Sequence, residues 1–281
     1  MNKPVILFIH GAFVTASSWG LMRSYFEARG FQTIAPAWPY HEKEAAELRK
    51  HPASRLGTLR LEELIAYYTN IIQSLPSKPI LIGHSYGGML TQILMDRDLG
   101  SAGIAISPVA TRGVIAARYP TTVRSVFGIL SKPWKTTYLM PFSTFQYAFV
   151  HLLPREEQEQ AYHDNVVPET SRIFFQTALS PIYPKSPTAV NYNPANRGPL
   201  LLVAGEEDRI TTAASIRKNF SLYRPSSRTV TEFKAFPGRT HWIIAQEGWE
   251  EVAGYFFDWL YDKLDLGLSP HASPAGKDAL A

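Results

Sequence analysis

The chain contains no cysteine. That excludes disulfides, thiolate metal sites, iron-sulfur clusters and a cysteine nucleophile, and it leaves the redox character of the compartment open. Charge of one sign is also scarce: 28 Lys and Arg against 24 Asp and Glu leave +4, far short of the clustered excess of a nucleic-acid binder. Long hydrophobic runs are missing too. The first apolar stretch, 5–9, is too short for a signal-peptide core and has no small-residue cleavage site, so a cytoplasmic protein is expected. The uncharged run 136–154, which approaches spanning length, contains Ser143, Thr144, Gln146, His151 and Pro141, which argues against stable membrane insertion.

What is present is an ordinary globular composition, 45% apolar and 19% charged over 281 residues. A chain this long hides roughly three quarters of its unfolded surface and needs no metal or disulfide to hold it together. Short apolar runs recur at 4–9, 32–35, 79–83, 102–107, 200–205 and 230–236. Most are continuous rather than alternating, as in parallel strands covered by helices on both faces. Between them, 18–29, 58–75, 86–98, 212–223 and 248–264 carry apolar residues at three- and four-residue spacing, which predicts helices. The alternation predicts an α/β fold with a doubly wound, mostly parallel sheet, whose ligands bind beyond the carboxyl ends of the strands.

The alternation stops after Ser107 and resumes at Leu200, so 1–107 and 198–264 read as the core and 108–197 as an inserted helical cap. The cap holds ten of the 21 prolines, and its nine Lys and Arg against five Asp and Glu account for the whole net charge. Seven of the 35 aromatics fall within 127–149; such a stripe glues the cap to the sheet, lines a substrate site, or does both. The charge-mixed run 42–50 reads as a solvated helix, and 265–281 as a disordered Gly/Ser/Pro/Ala tail.

The chemistry centres on Gly83-His84-Ser85-Tyr86-Gly87, set between a strand and a helix. A chain reversing that sharply strains the serine backbone, and side chains at 83 and 87 would collide, so glycine is needed there. The turn lifts the Ser85 hydroxyl above the sheet and puts the Tyr86 N–H at a helix N-terminus. A serine hydroxyl needs a base, and the base needs an orienting carboxylate, following in the order Ser, acid, His after later strands. Asp208 fits the acid, with Glu206 and Glu207 as rivals. His241, between the last strand and the last helix, fits the base. A second oxyanion donor is expected from the Ala12 N–H, after Gly11. His10 and His84 read as buried structural imidazoles. His41, His51, His151, His163 and His271 show no metal-ligand spacing, so neither metal nor cofactor is expected.

These motifs resemble those of the α/β-hydrolases, over nearly the whole chain apart from the cap, and the His10-Gly11-Ala12 opening and the elbow resemble those of the small capped esterases and their relatives. The resemblance implies a Ser85–Asp208–His241 triad and an oxyanion hole at Ala12 and Tyr86. It also implies that the chain enters at the third strand of the usual eight, without the leading hairpin. The segment Ala35-Pro36-Ala37-Trp38-Pro39-Tyr40-His41 departs from the common Asp-x-x-Gly-x-Gly-x-Ser loop. Serine at the elbow, rather than aspartate, argues against haloalkane or epoxide chemistry.

The expected function is hydrolysis of carboxylic esters or lactones of apolar or aromatic small molecules. The alternatives are a lyase or carbon–carbon hydrolase on the same triad, and a small-molecule receptor with little turnover. The expected pocket residues are Phe13, Trp38, Trp134, Phe142 and Trp242. Arg112, Arg118 and Arg124 are candidates for holding a substrate carboxylate, although their six-residue spacing also suits a solvated cap surface.

Overall fold

The computed structural model describes residues 4–224, 228–264 and 266. The expected tail, 265–281, lies outside the described residues apart from Leu266. The chain runs through β1 (Ile6–Ile9), α1 (Gly20–Glu27), β2 (Thr33–Ile34), α2 (Ala45–Lys50), α3 (Leu61–Ser74), β3 (Ile80–His84), α4 (Tyr86–Asp96) and β4 (Ala102–Ile106). It continues with α5 (Pro120–Leu130), β5 (Thr137–Tyr138), α6 (Phe142–Ala148), α7 (Arg155–Asn165), β6 (Glu169–Thr170) and α8 (Ser171–Ala178). It ends with β7 (Leu200–Gly205), α9 (Ala213–Leu222), β8 (Thr231–Phe236) and α10 (Trp249–Lys263). Six strands form one sheet in the order β2-β1-β3-β4-β7-β8, every neighbouring pair parallel.

The continuous apolar strands are explained by the two-residue period of a strand. Ile6, Phe8, Ile80, Ile82, Ile104, Leu201 and Val203 pack with Trp19, Phe26, Phe256 and Leu260, under α1 and α10. The residues between them, such as Leu7, Ile9, Leu81, Ala105 and Leu202, pack with Leu64, Tyr68, Met89 and Leu90 of α3 and α4. Both faces are covered, so neither tolerates polar side chains. The edge strand β8 is only partly buried and carries Glu232 and Lys234, charges that discourage pairing with another chain.

The segment between β4 and β7 holds four α-helices and one element that periodicity does not reveal, the antiparallel pair β5–β6. Two residues per strand are too few to leave a repeat. The helix over 42–50 is shorter than expected and not fully solvated: α2 buries Ala45 and Leu48 against Val167. Among the described residues, no helix is long and apolar enough to cross a membrane.

Candidate active site

Ser85 stands alone between β3 and α4, at φ 57° and ψ −117°. Its N–H donates to the Ile106 carbonyl (2.9 Å), and its own carbonyl accepts the N–H groups of Met89 (3.1 Å) and Val109 (3.0 Å). These bonds hold a backbone conformation that costs on the order of 1–3 kcal/mol outside such a setting. A Cβ on Gly83 would lie 2.1 Å from the Gly87 carbonyl oxygen, and one on Gly87 1.9 Å from that of Ile9. Only glycine fits either place. Gly11 has a similar task on the facing loop, since a Cβ there would lie 2.8 Å from the Ser85 Cβ.

Asp208 follows β7 in a turn closed by its own N–H on the Gly205 carbonyl. Its Oδ1 accepts the N–H groups of Ile210 (2.8 Å) and Thr211 (2.9 Å), and its Oδ2 lies 2.9 Å from the Thr211 hydroxyl and 2.6 Å from His241 Nδ1. Burial pushes the carboxyl pKa up. The His241 imidazole and the two backbone donors outweigh burial and hold it below the ordinary range. An ionised Asp208 keeps the proton on His241 Nδ1 and leaves Nε2 with a bare lone pair. Nε2 is buried and has no hydrogen-bond partner among the described residues. Ser85 Oγ therefore makes no hydrogen bond to it.

His241 is held from two further sides. The His84 Nε2–H donates to its carbonyl at 2.8 Å and the two rings pack with centroids 4.7 Å apart, while Phe149 of the cap meets its ring edge-on at 4.8 Å. His84 is fully buried; burial first, and then the neighbouring His241 ring, lower its pKa to about 3. His10 is likewise lowered to about 3, by burial and then by His41. Its Nδ1–H faces the Gly11 carbonyl (2.9 Å) and its Nε2 accepts the Trp38 N–H (3.0 Å). Both are neutral anchors of the loops they join.

Ser85, Ala12 and Tyr86 share one cavity of about 290 Å³, roofed by residues of α5, α8 and the loops beside them. Tyr86 opens α4, so its N–H has no acceptor within the helix. Among the described residues, no Asp, Glu, Lys, Arg or His lines this cavity.

The sequence profile of the alpha/beta hydrolase family matches residues 6–254. The chain belongs to the alpha/beta hydrolase family. It is similar in structure to the monoacylglycerol lipase of Paleococcus ferrophilus, at 20% identity over 93% of this chain and 95% of that one, with a TM-score of 0.65. It is also similar to a pyrethroid hydrolase from Sphingobium faniae (18% identity, 93% and 98% covered, TM-score 0.63). A third similar structure is tomato methylketone synthase I complexed with 2-tridecanone (14% identity, 94% and 100% covered, TM-score 0.63). At these identities the likeness is one of fold. No curated protein sequence matches the chain.

Within this hydrolase-family cavity, only Phe13 of the five expected pocket residues is a lining residue. Trp38 is fully buried, its ring stacked on His10 at 4.9 Å. Trp134 lies against Phe175, Phe142 against Tyr162, and Trp242 against Phe145. Ring–ring packing inside the cap and against the sheet takes up most of the aromatic stripe; Phe127 and Phe149 are its members that reach the cavity. Arg112, Arg118 and Arg124 do not line it either. Arg112 donates to the Pro184 carbonyl and Arg124 covers the Tyr147 ring. Neither Glu206 nor Glu207 bonds to His241; both are exposed.

Two residues in this site were not anticipated. Thr211 bridges Asp208 and the Ser107 carbonyl, and its position three residues after the acid is the signal that could have found it. Glu169, fully buried on β6, accepts the Phe13 N–H; a single acid after the apolar Val166-Val167-Pro168 is its only trace in the sequence.

Proposed function

We propose that the protein hydrolyses carboxylic esters or lactones of uncharged, apolar acyl compounds. Ser85 is the nucleophile, His241 the general base and then acid, and Asp208 the group that fixes the imidazole tautomer. The observation that carries this reading is the 2.6 Å bond between Asp208 Oδ2 and His241 Nδ1, behind a strained serine that opens into an apolar cavity.

In this reading Ser85 Oγ must come to His241 Nε2, a bond of the kind that commonly tightens only with substrate present. Oγ attacks the acyl carbon while its proton passes to Nε2. The carbonyl oxygen takes the negative charge between the N–H groups of Ala12 and Tyr86, worth several kcal/mol at the transition state. The imidazolium then protonates the leaving alkoxide. A water repeats the cycle on the acyl-enzyme, releasing the acid and restoring Ser85.

A series of neutral p-nitrophenyl esters of graded acyl length tests this, run on wild type and Ser85→Ala. Loss of about six orders of magnitude in turnover is expected for Ser85→Ala and about four for Asp208→Asn. Near wild-type hydrolysis by Ser85→Ala would overturn the reading, and product analysis separates hydrolysis from lyase chemistry.

A further inference from the structure

The cap's surface differs from the rest of the molecule in two ways. Of the eleven large apolar side chains exposed among the described residues, nine lie within 108–197. Over 108–155 and 170–197 the chain carries nine Lys and Arg and no Asp or Glu. The cap's acids are confined to α7, which packs beside α2 and α6, and to the buried Glu169. Of the nine cations, only Arg197 is buried.

Six of the nine exposed apolar residues stand on or beside the cavity lining. Ile115, Val123 and Phe127 both line the cavity and reach solvent, Phe127 being 66% exposed. Across the opening, Ala178, Ser180 and Pro181 line the cavity and alternate with or precede the exposed Leu179, Ile182 and Tyr183, Ile182 being 78% exposed. Arg118, Arg124, Lys132, Lys135 and Lys185 stand on the same segments. A collar of apolar side chains set among cations without acids matches an anionic bilayer: the apolar groups enter the headgroup boundary and the cations meet lipid phosphate. A second copy of this chain would bring like charge against like charge.

We infer that the cap docks, cavity mouth first, on an anionic lipid surface. Docking does not depend on the hydrolase reading; what the cavity takes up there does. An apolar ester then passes from bilayer to Ser85 without crossing water.

The test is co-sedimentation of the Ser85→Ala protein with vesicles of phosphatidylcholine, alone or with phosphatidylglycerol. Binding is expected to the mixed vesicles, to weaken with added salt, and to be slight on phosphatidylcholine alone. A cation beside such a surface is worth about fivefold in partitioning. The exposed triple variant Lys132→Gln, Lys135→Gln, Lys185→Gln should then bind about a hundredfold more weakly, with an unchanged thermal midpoint. Ile182→Ser should weaken binding roughly tenfold. Equal, slight binding to both vesicle types overturns the inference. So does a triple variant that binds like wild type, or binding to soluble polyglutamate but not to mixed vesicles. Vesicle binding without ester turnover by wild type would sink the hydrolase reading and leave docking standing.

Discussion

The Phe13 N–H donates to the Glu169 carboxylate at 3.4 Å, while the Phe13 carbonyl accepts the Val167 N–H at 2.9 Å. One cap segment thus grips both sides of a residue held at φ 67°, directly after Ala12. His41 lies 3.5 Å from the same carboxylate oxygen, and the Thr170 N–H meets the other at 2.7 Å. The loop that carries Ala12 is therefore shaped by the segment between β4 and β7 as well as by the sheet. Glu169→Ala should lower kcat by about 10- to 100-fold with KM little changed. Glu169→Gln, which keeps an acceptor for Phe13, should recover much of the loss. Steady-state kinetics on a soluble ester measures both; an unchanged kcat in Glu169→Ala would show that the loop holds its shape unaided.

Thr211 tests the other end of the site. Its N–H and hydroxyl reach the two oxygens of Asp208, so Thr211→Val keeps the volume and the N–H but removes the hydroxyl. With fewer donors to its charged form, Asp208 should titrate higher than in wild type. We expect kcat to fall about tenfold and the acid side of its pH profile to move to higher pH. A profile superimposable on wild type would assign the hydroxyl to the Ser107 carbonyl instead.

The sheet and its helices were legible because burial on two faces forces continuous apolar runs, and helices between them must repeat at 3.6 residues. The elbow was legible because Gly83 and Gly87 are sterically required. The cavity walls were not. Whether an aromatic such as Phe142 or Phe149 faces a cavity or a neighbouring ring depends on how α6 lies against α7 and the sheet, and helical spacing carries no record of that. Trp38 illustrates the same limit: its loop departs from the common pattern, and its ring is claimed by His10. Glu169 escaped notice because its partners, Phe13 and His41, are 156 and 128 positions away.

Acid should destabilise this fold well before its carboxylates are protonated. His10 and His84 have folded pKa values lowered from 6.5 to about 3. Between those values the unfolded chain binds protons that the folded chain refuses. The stability these neutral histidines lend is complete above about pH 6.5 and is lost as pH falls toward 3. The loss is on the order of 5 kcal/mol per histidine. Lowered Asp208 adds a loss in the same direction as pH falls through its folded pKa. Urea unfolding from pH 4 to 8 measures the slope. His84→Gln should flatten it by up to about 1.4 kcal/mol per pH unit between pH 4 and 6. An equally steep variant would mean that His84 takes up its proton in the folded state.

Substrate charge should matter more than substrate size. Among the described residues, no Asp, Glu, Lys, Arg or His lines the cavity beside Ser85, and several of its hydroxyls are already committed: Thr122 to the Ile210 carbonyl, Thr177 to that of Ile173, Ser215 to that of Thr212. A carboxylate carried into it would lose its hydration and find no cation, at a cost of several kcal/mol. An ester ending in a carboxylate should accordingly show kcat/KM lower by about 10³ or more than its methyl-ended counterpart. Because Arg112, Arg118 and Arg124 do not line the cavity, replacing each by Ala should leave the KM for the anionic ester where it was. Leu130→Arg, which sets a cation in the lining, should narrow the gap between the two esters. Equal kcat/KM for both in wild type would mean that the acyl chain lies outside this cavity.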